Sequence, residues 1–380
     1  MSSRGREPRE LGACTACLRR SWLLSALSGP LDYCARDRAR LLELLALADG
    51  ELLAAVAGRR AAELRTAYER FDASELQRDP QVQAICRHRR GYPHALGGPA
   101  APHMLAVAGG ADRLVKLTAA PVVAILGSRA PSDYGLEMAR SLARGLAASG
   151  VTVAAGLTDG IAAAAHAGAL DAGAGSVAVL GGGLGVSCQP RRRSLYERIR
   201  RAGCAVSELP LDCAGRRWGQ LASERIVVEL GLLSVIVEAE RTPADLAAAG
   251  IARALGRTVA AMPGRVTSPL SRGTHALLMD GASLVRGPRD VLELLCATGA
   301  ASPNARAAPP VAGAVDPHAG LPPDLRAVLE RVGVGYDTPD KLTRAGVDAA
   351  RVLPALSELE LTGLLIRGDG GRYLPRGPLD

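Results

Sequence analysis

The chain has 380 residues, enough for two or three domains and a substantial core, and no apolar run reaches membrane-spanning length, so a cytoplasmic protein without a membrane partner is expected. Its 46 basic residues against 38 acidic ones leave a formal net charge of +8, almost all of it arginine, which favours an anionic partner, with nucleic acid first. The first residues are polar and charged rather than signal-like, and the eight scattered cysteines fit the reduced thiols of a cytosol better than a disulfide framework.

Cys14-x-x-Cys17 is the only close cysteine pair, and no second pair follows at zinc-site spacing, so no metal site is predicted. From Leu18 to about Arg89 leucine and alanine recur at helical spacing throughout, and Gly29-Pro30, Asp49-Gly50 and Gly58 divide the stretch into short helices. Glycine and proline clusters over 91–120 mark a connection, with Met104–Val107 a candidate edge strand.

Val122-Val-Ala-Ile-Leu126 is wholly apolar and ends abruptly at Gly127-Ser128-Arg129, and a helix-spaced run follows from about Tyr134. Such a strand is expected to be buried on both faces of a parallel sheet. The turn after it aims backbone N–H groups and a helix N-terminus at any anion outside the strand end, and Arg129 adds a planar donor for phosphate. The pattern repeats. Val151–Ala155 leads to Gly156 and Gly160, Ser176–Leu180 to Gly181, Cys204–Ser207 to Glu208, Leu233–Val237 to Glu238, and Thr258–Met262 to Pro263-Gly264.

Strand–helix alternation of this kind predicts an α/β fold with a doubly wound, mostly parallel sheet, whose turns at Gly127, Gly156, Gly181 and Gly264 converge on one rim. Arg225, and Ser271, Arg272 and Gly273 in a loop before a helix, are expected to border that rim, so that Arg129, Arg225 and Arg272 share one edge. Arg191-Arg-Arg193 suits a solvated helix face, and His166 and His275 suit packing or hydrogen bonding. No nucleophile, acid–base pair or metal cluster is legible, so no catalytic residue and no cofactor is assigned.

Residues 297–320 have a linker composition. Beyond them, helices are predicted at Pro323–Val332, Thr338–Ala345 and Asp348–Leu361, then a hairpin of Leu364–Arg367 and Arg372–Leu374, which together make a winged helix. The third helix (Asp348, Arg351, Glu358, Glu360) is no more basic than acidic, so partner docking suits it at least as well as reading a DNA groove. The expected division is a helical module at 1–95, a Rossmann-like domain at 96–298, a linker at 299–320 and a winged helix at 321–380.

Gly127-Ser128-Arg129, Tyr134-Gly135, Gly156-Leu157, Gly160-Ile161, Ala165-His166, Pro263-Gly264, Ser268-Pro-x-Ser-x-Gly-Thr274 and Asp280-Gly-Ala282 resemble the DNA-processing protein A (DprA, or Smf) family over nearly the whole chain. The resemblance implies an N-terminal helical (SAM-like) module, a Rossmann-like centre and a winged-helix tail. It implies a non-enzymatic protein that binds single-stranded DNA on a positive rim, protects incoming DNA, forms a homodimer and helps load a RecA-type recombinase in natural transformation and recombination. By position, Gly127, Ser128 and Arg129 would meet phosphate and Arg225 would match a basic rim residue.

The chain departs from that family at Ser223-Glu224, where an arginine and an asparagine are expected, at Asp159 and Ala162, and at Pro243-Ala244-Asp245. Carboxylates at Asp159 and Glu224 stand where phosphate should sit, which implies weakened or altered DNA binding. With one Phe, two Trp and seven Tyr, base stacking can supply little of the affinity. The rival enzymatic reading, a Rossmann-like nucleotide hydrolase with Pro-Gly-Gly-x-Gly-Thr followed by glutamate, meets Arg265 after Pro263-Gly264 and His275 after Thr274. A third reading is a scaffold that has lost DNA binding.

Overall fold

A computed structural model of the chain describes residues 12–76, 79–185, 190–297, 321–333, 337–367 and 373–375. Two compact units are formed, Met1–Ala307 and Ala308–Asp380. The stretch read as a linker, 299–320, lies outside the described residues.

The first unit opens with five helices, α1 (Thr15–Ala26), α2 (Ser28–Cys34), α3 (Arg38–Ala46), α4 (Asp49–Val56) and α5 (Ala61–Glu69). Leu23, Leu27, Leu31, Leu41, Leu44 and Leu52 recur at the spacing that places them on inward faces, and they meet in one buried cluster. Asp37 caps α3 by accepting the Arg40 N–H.

The helical reading fails at Val82–Cys86, which is a strand, β1. Two β-branched residues in five positions carry the strand preference, and antiparallel pairing with β2 (Met104–Ala108) realises it. Strand β2, expected at the edge, therefore lies one place inside it.

Alternation then runs as expected: α6 (Ala111–Ala119), β3 (Val122–Leu126), α7 (Asp133–Ala148), β4 (Thr152–Gly156), α8 (Ile161–Asp171), β5 (Ser176–Val179), α9 (Pro190–Ala202), β6 (Cys204–Ser207), α10 (Arg217–Leu230), β7 (Leu233–Ile236), α11 (Ala247–Ala254), β8 (Thr258–Ala261), α12 (Arg272–Met279), β9 (Ser283–Leu284) and α13 (Pro288–Ala297). Among the described residues the strands form one sheet in the order β1-β2-β6-β5-β4-β3-β7-β8-β9, parallel from β6 to β9. The order reverses at β3, which has β4 on one side and β7 on the other. That reversal is the switch point at which such sheets open a crevice.

Strand β3 shows how the layers are built. Val123 and Ile125 face one way into a cluster with α7 and α8, whereas Val122 and Ala124 face the other way towards α6 and α10. Helix α10 is buried almost all round, because the sheet covers one side and Trp218, Leu221 and Ala222 pack into the N-terminal helices on the other. Trp218 Nε1 donates to Ser28 Oγ at 2.8 Å, and its backbone N–H donates to Asp32 at 3.1 Å.

The second unit has α14 (Pro323–Gly333), α15 (Pro339–Arg344), α16 (Ala349–Leu361) and an antiparallel pair, β10 (Leu365–Arg367) and β11 (Tyr373–Pro375), as the winged-helix pattern predicts. Thr338 caps α15 with Pro339 just inside it. On α16, Arg351 is engaged by Asp324, which leaves Glu358 and Glu360 to set the charge of that helix. No helix among the described residues is long and apolar enough to cross a membrane.

Candidate nucleic-acid interface

The turns after β3, β4 and β5, together with the middle of α10, enclose a groove of about 390 Å³ at the C-terminal edge of the sheet. Gly127, Arg129, Gly156 and Gly181 line it, as expected, and Arg192 and Glu224 complete its polar wall.

Two glycines set the geometry. A Cβ on Gly127 would stand 2.8 Å from the Glu238 carbonyl oxygen and 2.9 Å from Ile161, so only glycine lets the β3 turn press against both the turn after β7 and the start of α8. Gly160 has φ +81°, and a Cβ there would strike the carbonyls of Ser128 and Arg129. The Ile161 N–H donates to the Ser128 carbonyl at 3.1 Å, locking the β4 turn onto the β3 turn and fixing the base of Arg129. Gly160 therefore positions Arg129 and does not itself line the groove.

Arg129 is exposed, and its guanidinium has no side-chain hydrogen bond or ion pair among the described residues. Arg192, assigned from sequence to a solvated face, turns into the groove. Its Nη1 donates to the Leu157 carbonyl at 2.7 Å and its Nε lies 3.3 Å from Asp159 Oδ1. That Nε is buried, with the Asp159 carboxylate beside it but no hydrogen-bond acceptor in line among the described residues.

Glu224 pairs with Arg38 of α3 at 3.2 Å. Burial raises its carboxyl above the usual carboxylate range, against the pull of Arg38 and Arg129. Each of these carboxylates has a cation beside it, Arg38 for Glu224 and Arg192 for Asp159, and Arg129 and Arg192 stand with Glu224 in the groove lining.

Several expectations need correction. The N-terminus of α7 is not open to an external anion, because Glu238 fills it: its carboxylate accepts from the Ser132 N–H at 2.9 Å and from Ser132 Oγ at 2.6 Å. Ser128 belongs to the turn itself, its N–H donating to the Glu238 carbonyl at 2.7 Å and its Oγ accepting from the Ala130 N–H.

Arg225 does not reach the rim. It is 3% exposed, makes a two-pronged ion pair with Glu208 at 2.6 and 2.7 Å, and donates to the carbonyls of Ala100 and Ala222. The apolar residues around all faces of α10 (Trp218, Leu221, Ile226, Val227, Val228, Leu230) are the sequence signal that this helix is interior.

Gly264, Ser271, Arg272 and Gly273 form a separate turn after β8, outside the groove lining. It abuts the β7 turn, where the Ala239 N–H donates to the Leu270 carbonyl and the Gly273 N–H to the Ala239 carbonyl, each at 2.8 Å. Ser271 and Gly273 are buried by that packing and only Arg272 is exposed. Of the three arginines expected to share an edge, then, only Arg129 lines the groove.

His166 takes the packing role. Fully buried, it receives the Ser176 hydroxyl on Nδ1 and donates from Nε2 to the Gly156 carbonyl at 3.2 Å, a tautomer inferred from those partners. Burial lowers its pKa from 6.5 to about 4. A base with a depressed native pKa contributes stability that is complete above pH 6.5 and lost as pH falls towards 4. The loss reaches about 3 kcal/mol at 1.36 kcal/mol per pKa unit. Chemical denaturation across that range should show a shallower acid decline for His166→Gln than for the parent, and parallel curves would refute the assignment.

Comparison with known proteins places this geometry. The family model for DNA recombination-mediator protein A matches residues 83–296, and that for the DprA winged helix domain matches residues 309–371. The putative DNA processing protein DprA of Mycobacterium tuberculosis is 35% identical over 254 residues, 65% of this chain and 62% of its own length. The match to this curated relative thus spans about three-fifths of its length. The X-ray structure of DNA processing protein A from Streptococcus pneumoniae superposes with a TM-score of 0.59 at 27% identity, over 74% of this chain and 98% of that one. DNA processing protein A from Helicobacter pylori, described for its single-stranded DNA binding mode, shares the fold with a TM-score of 0.50 at 24% identity, over 57% of this chain and 97% of that one.

Proposed function

The chain belongs to the DNA recombination-mediator protein A family, and from that membership we propose that it binds single-stranded DNA along the groove at the C-terminal edge of its sheet. The observation that carries this reading is the grouping of Arg129, on the turn after β3, with Arg192, from the first turn of α9, in one groove, with Arg38 paired to Glu224. The groove offers guanidinium donors and closely packed backbone, which suit a flexible phosphate chain. Tyr134, 42% exposed and held by its hydroxyl to the Pro263 carbonyl, presents a ring at the same rim. On this reading the protein acts by binding and not by catalysis, protecting incoming DNA and passing it to a RecA-type recombinase, with a homodimer as the working form. The sequence-assigned residues Gly127, Arg129, Gly156 and Gly181 belong to this groove, and Arg272 is proposed as an outlying phosphate contact on the same edge.

Fluorescence anisotropy with labelled oligonucleotides tests the proposal. Single strands should bind more tightly than duplexes of the same length. Contacts from three guanidiniums should give a log–log salt slope of about −2, at about 0.7 per phosphate neutralised. Equal affinity for both, or no salt dependence, would refute it.

Glu224 supplies a second handle. Protonation removes its charge from the groove wall, so binding should strengthen as pH falls through its raised pKa. Glu224→Gln should bind roughly 3- to 10-fold more tightly at neutral pH, by the loss of one nearby like charge, and should lose that pH dependence. A variant that binds less tightly would show that the Arg38–Glu224 pair organises the site instead of opposing it.

A further inference from the structure

Away from the groove, the structure gathers four residues whose chemistry has no part in DNA binding. Cys14 stands at the N-cap of α1 and Cys17 lies one turn later, while Cys86 ends β1 and His88 follows it by two residues. Cys14 and Cys86 are 72 residues apart in sequence, yet one ligand atom from each of the four residues lies within 4.8 Å of all the others. His88 Nδ1 is 3.4 Å from Cys14 Sγ and 3.3 Å from Cys17 Sγ, and the Cys14 N–H donates to Cys86 Sγ at 3.4 Å.

A tetrahedral zinc ion bound at about 2.3 Å to sulfur and about 2.0 Å to nitrogen requires sulfur–sulfur edges of about 3.8 Å and sulfur–nitrogen edges of about 3.5 Å. The two sulfur–nitrogen distances, 3.4 and 3.3 Å, are already close to the latter figure, and the ligand atoms all lie within 4.8 Å of one another. We propose that Cys14, Cys17, Cys86 and His88 hold a zinc ion in a closed Cys3His site.

Three thiolates and an imidazole are soft and borderline donors, which select zinc over magnesium or calcium. Four protein ligands leave no open position, so the site is structural. The start of α1 offers its positive dipole end to two of the thiolates. Cys17 and Cys86 are buried, Cys14 is half-buried and His88 is exposed, which leaves the ion a path in from solvent.

The ion would join the first helix of the N-terminal module to the last residue of the sheet's edge strand. Among the described residues strand β1 pairs only with β2, at the edge of the sheet, so a metal link there would hold the edge closed. The family match begins at residue 83, so Cys14 and Cys17 lie outside it and half of the ligand set belongs to this chain's own N-terminal module.

The test uses the full chain, produced with zinc supplementation and purified under reducing conditions. Elemental analysis should find one zinc per chain, released on thiol modification to a chromogenic chelator. Exchange for cobalt(II) should give intense tetrahedral d–d bands with thiolate-to-cobalt charge transfer. Cys86→Ser and the double variant Cys14→Ser/Cys17→Ser should each bind zinc at least 100-fold more weakly. His88→Cys should keep one zinc and strengthen the charge-transfer band, a readout that does not depend on a ligand-loss variant folding. Substoichiometric zinc, a weak octahedral cobalt spectrum in the parent chain, full zinc retention by Cys86→Ser, or a Cys14–Cys17 disulfide in the reduced preparation would each overturn the proposal.

Discussion

Arg129→Ala should weaken single-strand binding by roughly 10- to 100-fold, the equivalent of losing one charge-assisted hydrogen bond of about 1.5–3 kcal/mol. Two effects act together. The groove loses a guanidinium that has no hydrogen bond or ion pair among the described residues, and Glu224 loses one of the two cations that offset its charge. The salt slope should fall by about 0.7, because one fewer counterion is released from the strand. Folding should be little affected, since Arg129 is exposed and its guanidinium makes no hydrogen bond or ion pair among the described residues. A salt titration by anisotropy, alongside a thermal melt, separates these outcomes. Unchanged affinity at every salt concentration would remove Arg129, and with it the groove, from the binding surface.

Arg225→Ala should behave in the opposite manner, costing about 3–5 kcal/mol of folding stability by leaving the Glu208 carboxylate buried without its partner. Against a total of about 5–15 kcal/mol for a typical domain, that is enough to unfold part of the population at physiological temperature. The Ala100 and Ala222 carbonyls would lose a donor as well. Whatever fraction stays folded should bind DNA like the parent, because Arg225 is not in the groove. The double variant Arg225→Met/Glu208→Leu should recover much of the loss, since replacing both members of a buried pair by apolar groups costs less than orphaning one. Urea denaturation of the single and double variants measures this directly. A stable Arg225→Ala protein with impaired binding would mean that the residue faces the strand after all.

These two arginines show what could be read from the chain and what could not. Strands β3 to β8 were legible because each is a short apolar run closed by a turn residue, and their repetition with helices specifies a parallel sheet whose turns share an edge. Arg129 follows from that logic, since a residue in the turn directly after a strand has nowhere else to be.

Arg225 and Arg192 sit inside helices, where a shift of one residue rotates a side chain by about 100°, so which face each takes depends on what packs around it. The N-terminal helices cover α10 and bury Arg225, whereas Arg192 in the first turn of α9 reaches Leu157 and Asp159. Strand β1 escaped notice because five residues after a long helical stretch carry too short a pattern to announce a change of period. Cys86 and His88 escaped as partners of Cys14 and Cys17 because their proximity is created by β1 and α1 meeting across the sheet edge, and no local spacing encodes it.

The carboxylate of Glu238 has a consequence for selectivity in a crowded cell. In many doubly wound sheets the helix start at the switch point grips a lone phosphate tightly, and such a grip would be saturated by the free mononucleotides that abound in cytosol. Here that seat is taken by the protein's own side chain, which leaves the groove's guanidiniums as the cationic handholds along the edge. On the proposed single-strand reading, a monomer would use one of these at a time and drift away, whereas a polymer would engage several at once, so length itself would become the property being recognised.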